Sequence, residues 1–115
     1  MIKTVSIKRN NDFRSIYKRG KSSVSPVLAV YARKNKLNSN RLGITVSTKV
    51  GCAVVRNRVR RRIREAYRRN EGCFITGRDI VVVARVRAAS STYHEIEKNL
   101  LSIAEALSLL SEVQE

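Results

Sequence analysis

The stretch Lys49–Arg69 (KVGCAVVRNRVRRRIREAYRR) carries nine Lys or Arg and a single acid, Glu65. Wound as a helix, it sets Val55, Val59, Ile63 and Ala66 on one face, at the spacing of a buried stripe. Arg56, Asn57, Arg60, Arg61, Arg64 and Arg68 then cover the opposite face. Such a helix is anchored on one side and cationic on the other. Like charges one turn apart repel, so packing alone does not require this arrangement. A polyanion that neutralises the stripe would explain it. The functional reading is a nucleic-acid-binding helix; the plain alternative is a solvated helix face.

At 115 residues the chain is expected to form one domain, 1–115, with one modest core. Its net charge of +15 is unevenly placed. Residues 1–87 hold 23 basic and 4 acidic residues, whereas 88–115 hold 1 and 5. The positive field therefore belongs to the body of the chain, not to a tail. No apolar run approaches the roughly 20 residues of a membrane span. The N-terminus, MIKTVSIKRNNDF, lacks the apolar core of a secretory signal. A cytoplasmic protein with no membrane partner is the expectation. Cys52 and Cys73 lack metal-ligand spacing and a His cluster. They read as two small, partly buried thiols, unlinked in a reducing compartment.

In chain order, residues 1–9 are basic and read as irregular or extended. Asn10 or Asn11 caps a helix running to about Arg19, and Gly20 suits its end. Phe13, Ile16 and Tyr17 share one face of it, with Phe13 and Tyr17 a turn apart. Ile16 reads as core. Phe13 and Tyr17, flanked by Arg14, Lys18, Arg19 and Lys21, suit core packing and a stacking surface for unpaired bases equally. Pro26 fits a strand start or edge. Val27–Arg33 reads as a strand, with Leu28, Val30 and Ala32 on one side. Val27, Ala29, Tyr31 and Arg33 form the other side, a shallow face that suits an open ligand surface.

After the polar loop Lys34–Asn40, Arg41–Thr48 alternates Leu42, Ile44 and Val46 inward with Arg41, Gly43, Thr45 and Ser47 outward. Two such strands make a half-covered sheet. Lys49–Cys52 is a tight connection into the basic helix, and Gly72 and Gly77 mark its exit. Asp79–Arg87 (DIVVVARVR) reads as a continuous apolar strand of a sheet interior. Ser90 or Ser91 caps a last helix from Thr92 to about Val113. Its buried side is Ile96, Leu100, Leu101, Ile103, Ala104, Leu107 and Leu110, with Glu95, Glu97 and Glu105 in water. His94, the only histidine, reads as a surface or boundary residue. The expected fold is α+β: an α/β sandwich on a small mixed sheet, in the order α-β-β-(β)-α-β-α.

A protein-only nuclease needs a carboxylate metal cluster or a His-based acid and base. Here five of nine acids sit in the C-terminal part, and Asp12, Glu65, Glu71 and Asp79 are scattered. No nucleotide-binding loop or nucleophile elbow is present. No side-chain catalytic constellation emerges. Arginine outnumbers lysine eight to one in the basic stretch. Its planar fork suits bidentate phosphate contacts and base stacking, which folded RNA offers at bulges and loops. Duplex DNA shares the charge argument but gives no role to Phe13, Tyr17 and Tyr31.

RLGITVSTKVGCAVVRNRVRRRIREAYR, DFRSIYKRGKS and DIVVVAR, in this order, resemble the signature of the bacterial ribonuclease P protein subunit. The likeness extends over most of the chain. It implies an RNA-based endonuclease, in which a catalytic RNA with bound Mg2+ removes the 5′ leader of precursor tRNA. The protein would bind that RNA one-to-one, bind the leader, and hold no catalytic metal or cofactor of its own. Arg56, Asn57, Arg58, Arg60, Arg61 and Arg64 match the family's RNA-binding helix, with Arg68 and Lys49 as further RNA contacts. Phe13, Tyr17 and Tyr31 match aromatics of a leader-binding cleft, to which Arg33 and Ser47 are added. Cys52 and Thr48 depart from the Asn and Lys frequent in the family. The resemblance also implies the fold of the second domain of a ribosomal small-subunit protein, with a left-handed βαβ crossover. An architectural or ribosomal RNA-binding protein is the alternative.

Overall fold

The computed structural model describes residues 4–111. The chain runs β1 (Thr4–Ser6), α1 (Asn10–Arg19), β2 (Lys21–Val24), β3 (Leu28–Lys34), β4 (Asn40–Thr45), α2 (Ala53–Asn70), β5 (Arg78–Ala84) and α3 (Tyr93–Ala106). Short 3₁₀ turns follow α2 at Glu71–Cys73 and β5 at Val86–Ser90. The five strands form one mixed sheet in the order β1-β4-β5-β3-β2. β4 is parallel to β1 and β5, and β3 is antiparallel to β5 and β2. The α+β sandwich expected from the sequence is observed. α2 supplies the long crossover that the parallel pair β4 and β5 needs.

β5 is central, and Ile80, Val81 and Val82 are all 0% exposed. Its alternate side chains serve two layers. Ile80, Val82 and Ala84 join Leu28, Val30, Ala32 and Leu42 beneath α2 and α3, which contribute Val59, Ile63, Ala66, Ile96, Leu100 and Ile103. Val81 faces the other way, where Ile7 and Ile16 cover it together with Phe13 and Tyr31. The second layer is thin because one short helix crosses it.

Several boundaries differ from expectation. Within the stretch expected to be irregular or extended, residues 4–6 are an extended edge strand beside β4, and Ile7 follows into the core with its N–H donating to Leu42 O at 2.9 Å. Arg9, not an asparagine, precedes α1, and no side chain caps that helix start. The chain enters the helix directly from the Ile7 anchor, so Asn10 and Asn11 fall inside it. Pro26 and Val27 belong to the turn before β3, where Ser25 Oγ accepts from Val27 N and Leu28 N. β4 ends at Thr45, leaving Ser47 and Thr48 in a turn. β5 ends at Ala84, opposite Leu28, because its partner β3 begins there; Val86 and Arg87 are in the 3₁₀ turn instead.

Thr92, not Ser90 or Ser91, caps α3, through a capping box with Glu95. α3 stops at Ala106; Ser108 takes a left-handed φ of 58°. Leu109 is then buried, and Leu110 bridges to Phe74 instead of extending the helix. Val113 lies outside the described residues. Glu97 is half-buried, not solvated, and accepts from Asn70 Nδ2 at 2.9 Å and Tyr93 Oη at 3.2 Å. Both cysteines are exposed. Tyr67, one residue beyond the expected apolar stripe, is fully buried with its ring 4.9 Å from Phe74.

Candidate nucleic-acid interface

Two surfaces collect the expected site residues. The first lies where α1 crosses the sheet. Phe13 rests on Gly43: a Cβ there would stand 2.5 Å from the ring, so this approach requires glycine. One turn on, the Tyr17 ring is 6.4 Å from Phe13 and 4.9 Å from Tyr31, meeting the latter edge-on at 78°. Tyr17 Oη and Thr45 Oγ1 are 3.2 Å apart. Tyr17 is 38% exposed, whereas Phe13 and Tyr31 are half-buried. Beyond the ring, pairings place Thr45 beside Val83, Val83 beside Ala29, and Ala29 beside Val24. Three rings thus border a shallow floor of small and β-branched residues. Tyr17 is the ring best placed to stack on a ligand, because it is the most exposed of the three.

Arg33 is on the expected face but engaged elsewhere. Its Nε donates to Asp79 Oδ2 at 3.2 Å and its Nη1 donates to Ser15 Oγ of α1. Asp79 is 0% exposed and accepts also from Arg41 at 2.7 and 2.8 Å and from Asn35 Nδ2 at 3.0 Å. Arg41 reaches on to Asp12 of α1 at 3.4 Å. Burial pushes the Asp79 carboxyl up, but the hydrogen bonds from Arg41, Asn35 and Arg33 outweigh it and hold the group below the ordinary carboxylate range. The network ties β3, β4 and β5 to α1 and so fixes the helix that carries Phe13 and Tyr17. The sequence reading missed this role of Asp79 and Arg41.

The second surface is α2. Arg60 Nη1 donates to Asn57 Oδ1 at 3.0 Å, and Arg61 and Arg64 are exposed. With Asn57 they make the open cationic face. Arg56 Nε donates to Gly51 O at 3.1 Å. Arg58 turns away from the stripe and donates to Ala89 O at 3.0 Å, as Arg62 does to Ser91 O at 2.8 Å. Both act as hooks on the turn that leads into α3. Arg68 forks onto Glu65 at 2.6 and 2.9 Å, which offsets its charge locally. Lys49 and Ser47, both exposed, sit apart from the rings. They line a concavity of about 520 Å³ with Arg85 and Arg87, two exposed cations that sequence reasoning did not single out. Their proximity to Lys49 comes from the end of β5 and has no local sequence signal. Cys52 precedes α2 without a side-chain cap.

Among the described residues no group of three or more His, Cys, Asp or Glu is placed to hold a metal ion. No described helix is long and apolar enough to cross a membrane.

The sheet, its aromatic cleft and the arginine face of α2 define a small, strongly basic α+β protein with two surfaces of the kind that meet polyanions. The family model for ribonuclease P matches residues 1–108. The ribonuclease P protein component of Alkaliphilus metalliredigens is 47% identical over 105 residues, covering 91% of this chain and 95% of that protein. That of Clostridioides difficile is 45% identical over 102 residues, covering 88% and 90%. Among solved structures, the RNase P protein of Staphylococcus aureus superposes with a TM-score of 0.85 at 36% identity, covering 92% of this chain and 97% of that one. The Thermotoga maritima protein gives 0.79 at 32% identity, covering 96% and 98%. The chain belongs to the ribonuclease P protein family.

Proposed function

We propose that this protein is the RNA-binding, non-catalytic subunit of ribonuclease P, in which a catalytic RNA cuts the 5′ leader from precursor tRNA. It works in the cytoplasm, one protein per RNA. Asn57, Arg60, Arg61 and Arg64 neutralise phosphates of the RNA subunit, with Lys49 adding charge at the start of α2. That neutralisation lets two polyanions, enzyme RNA and substrate, approach each other at lower magnesium. Mg2+ is held by the RNA; among the described residues no group of three or more His, Cys, Asp or Glu is placed to bind it. The protein's residues bind and position, and they move no proton.

The leader lies in the cleft between α1 and the sheet. Tyr17 stacks on an unpaired base, Tyr31 supports that ring edge-on, and Phe13 sets the height of α1 above Gly43. The observation that carries this reading is Tyr17: a ring 38% exposed and met edge-on by Tyr31, on the α1 side of a sheet whose edge residue Val24 is exposed.

A stacked base is worth about 1–3 kcal/mol. Tyr17→Ala is therefore expected to lower the preference for precursor over mature tRNA by about tenfold, with RNA-subunit affinity little changed. Binding of both tRNA forms to the reconstituted holoenzyme measures this. An unchanged preference would remove Tyr17 from the cleft.

A further inference from the structure

A third basic surface lies away from both of these. Gly20 brings the end of α1 hard against β3: a Cβ on it would stand 2.6 Å from Ile16 O and 2.9 Å from Ala32 O. The residues flanking Gly20, Arg19 and Lys21, are thereby held at the β2–β3 edge. Lys21 pairs with Ala32, and Lys34 pairs with Arg78 across to β5. Together with the turn after α3 they line a concavity of about 490 Å³ that includes five cations and no acid.

Two of the five are engaged. Arg33 is paired with Asp79, and Arg78 donates to Thr76 O and Gly77 O at 3.3 Å. Arg19, Lys21 and Lys34 are exposed, and their side chains make no hydrogen bond or ion pair among the described residues. The end of α3 offers only about half an elementary charge of opposite sign, too little to balance three free cations. The concavity is also discontinuous with the arginine face of α2. α3 packs against both α2 and the β2–β3 edge, and it exposes Glu95 and Glu105. α3, with its exposed acids, thus packs between α2 and the strands that carry Lys21 and Lys34.

We propose that this basin is a separate phosphate-binding site, taking the sugar–phosphate backbone of a second segment of the ribonuclease P RNA. Lys21 and Lys34 are its principal contacts and Arg19 its rim. The inference rests on the RNA-subunit reading above. The molecule is 36 Å across its long axes, so anchoring at both α2 and the basin would grip the RNA at two places and fix the orientation of the cleft relative to it.

The test compares Lys21→Gln/Lys34→Gln with Lys36→Gln/Lys98→Gln, a control with the same loss of charge at two exposed sites outside the three surfaces. The probe is ribonuclease P RNA transcribed from the genome that encodes the chain, titrated across a range of salt. Removing one lysine–phosphate pair lowers the salt slope by about one. The basin variant is expected to lose about two units of slope and about tenfold in affinity, with the control near wild type. The preference for precursor over mature tRNA should persist, since the cleft is untouched. Equal slopes for the basin variant and the control would overturn the proposal, as would a loss confined to precursor tRNA. Failure of the wild-type protein to bind the RNA at all would instead overturn the subunit reading.

Discussion

Replacing Asp79 by alanine is expected to destabilise the fold by about 3 kcal/mol. The carboxylate is fully buried and is the common acceptor for Arg33, Arg41 and Asn35. Its removal leaves two guanidinium groups facing each other at the foot of α1. Those side chains are 24% and 25% exposed, so water partly relieves them; the loss accordingly falls at the lower end for a broken buried pair. Urea unfolding at neutral pH measures it. The sign of the pH dependence follows from the direction of the shift. A carboxyl held below its ordinary value of 3.8 contributes stability that is full above that value and lost as pH falls through its lower folded value. Wild type should therefore weaken on acidification below about 3.8, and Asp79→Asn should lack that component. An unchanged urea midpoint for Asp79→Ala would contradict the clamp. Because α1 carries Phe13 and Tyr17, the same variant should also lose leader discrimination.

The triple variant Arg60→Ala, Arg61→Ala, Arg64→Ala is expected to cost about a hundredfold in affinity for the RNA subunit at low salt, with a salt slope lower by about two to three. Alanine is a strong helix former, and Arg61 and Arg64 are exposed while Arg60 bonds only the neighbouring Asn57, so the fold should persist. Arg58→Ala should behave differently. Arg58 holds Ala89 O, so its loss should lower stability by about 1 kcal/mol and change the salt slope little. Filter binding across a salt series, paired with urea melts, separates the two outcomes. A wild-type slope for the triple variant would remove the α2 face from the RNA interface. An unaltered melt for Arg58→Ala would remove the hook.

The sequence exposed most clearly the features with a period. The 3–4 spacing of Val59, Ile63 and Ala66 located α2 and its buried face. The unbroken run around Val81–Val83 located an interior strand, because a strand buried on both faces needs no alternation. β1 and β2 have 3 and 4 residues, too short for a pattern, and their pairing depends on β4 and β3 elsewhere in the chain. The end of β5 was invisible for the same reason, since it is set by where β3 begins.

The candidate site divides in the same way. That Phe13 and Tyr17 share a face follows from helix geometry; that Tyr31 meets them depends on how α1 lies on the sheet. The arginines of α2 read alike in sequence, yet Arg58 and Arg62 reach backbone carbonyls 31 and 29 residues away. Asp79 meets Arg33 and Arg41 across 46 and 38 residues. Such long-range pairing assigns charges to scaffold or surface, and no local pattern reveals it.

The most direct test of the subunit reading is cleavage of precursor tRNA at low magnesium, by ribonuclease P RNA with and without the purified protein. The expected result is strong stimulation of 5′ leader removal by the protein together with the RNA, and no cleavage by the protein alone. Tight binding of the RNA without stimulation would contradict the subunit reading, and would leave an architectural RNA-binding protein in its place.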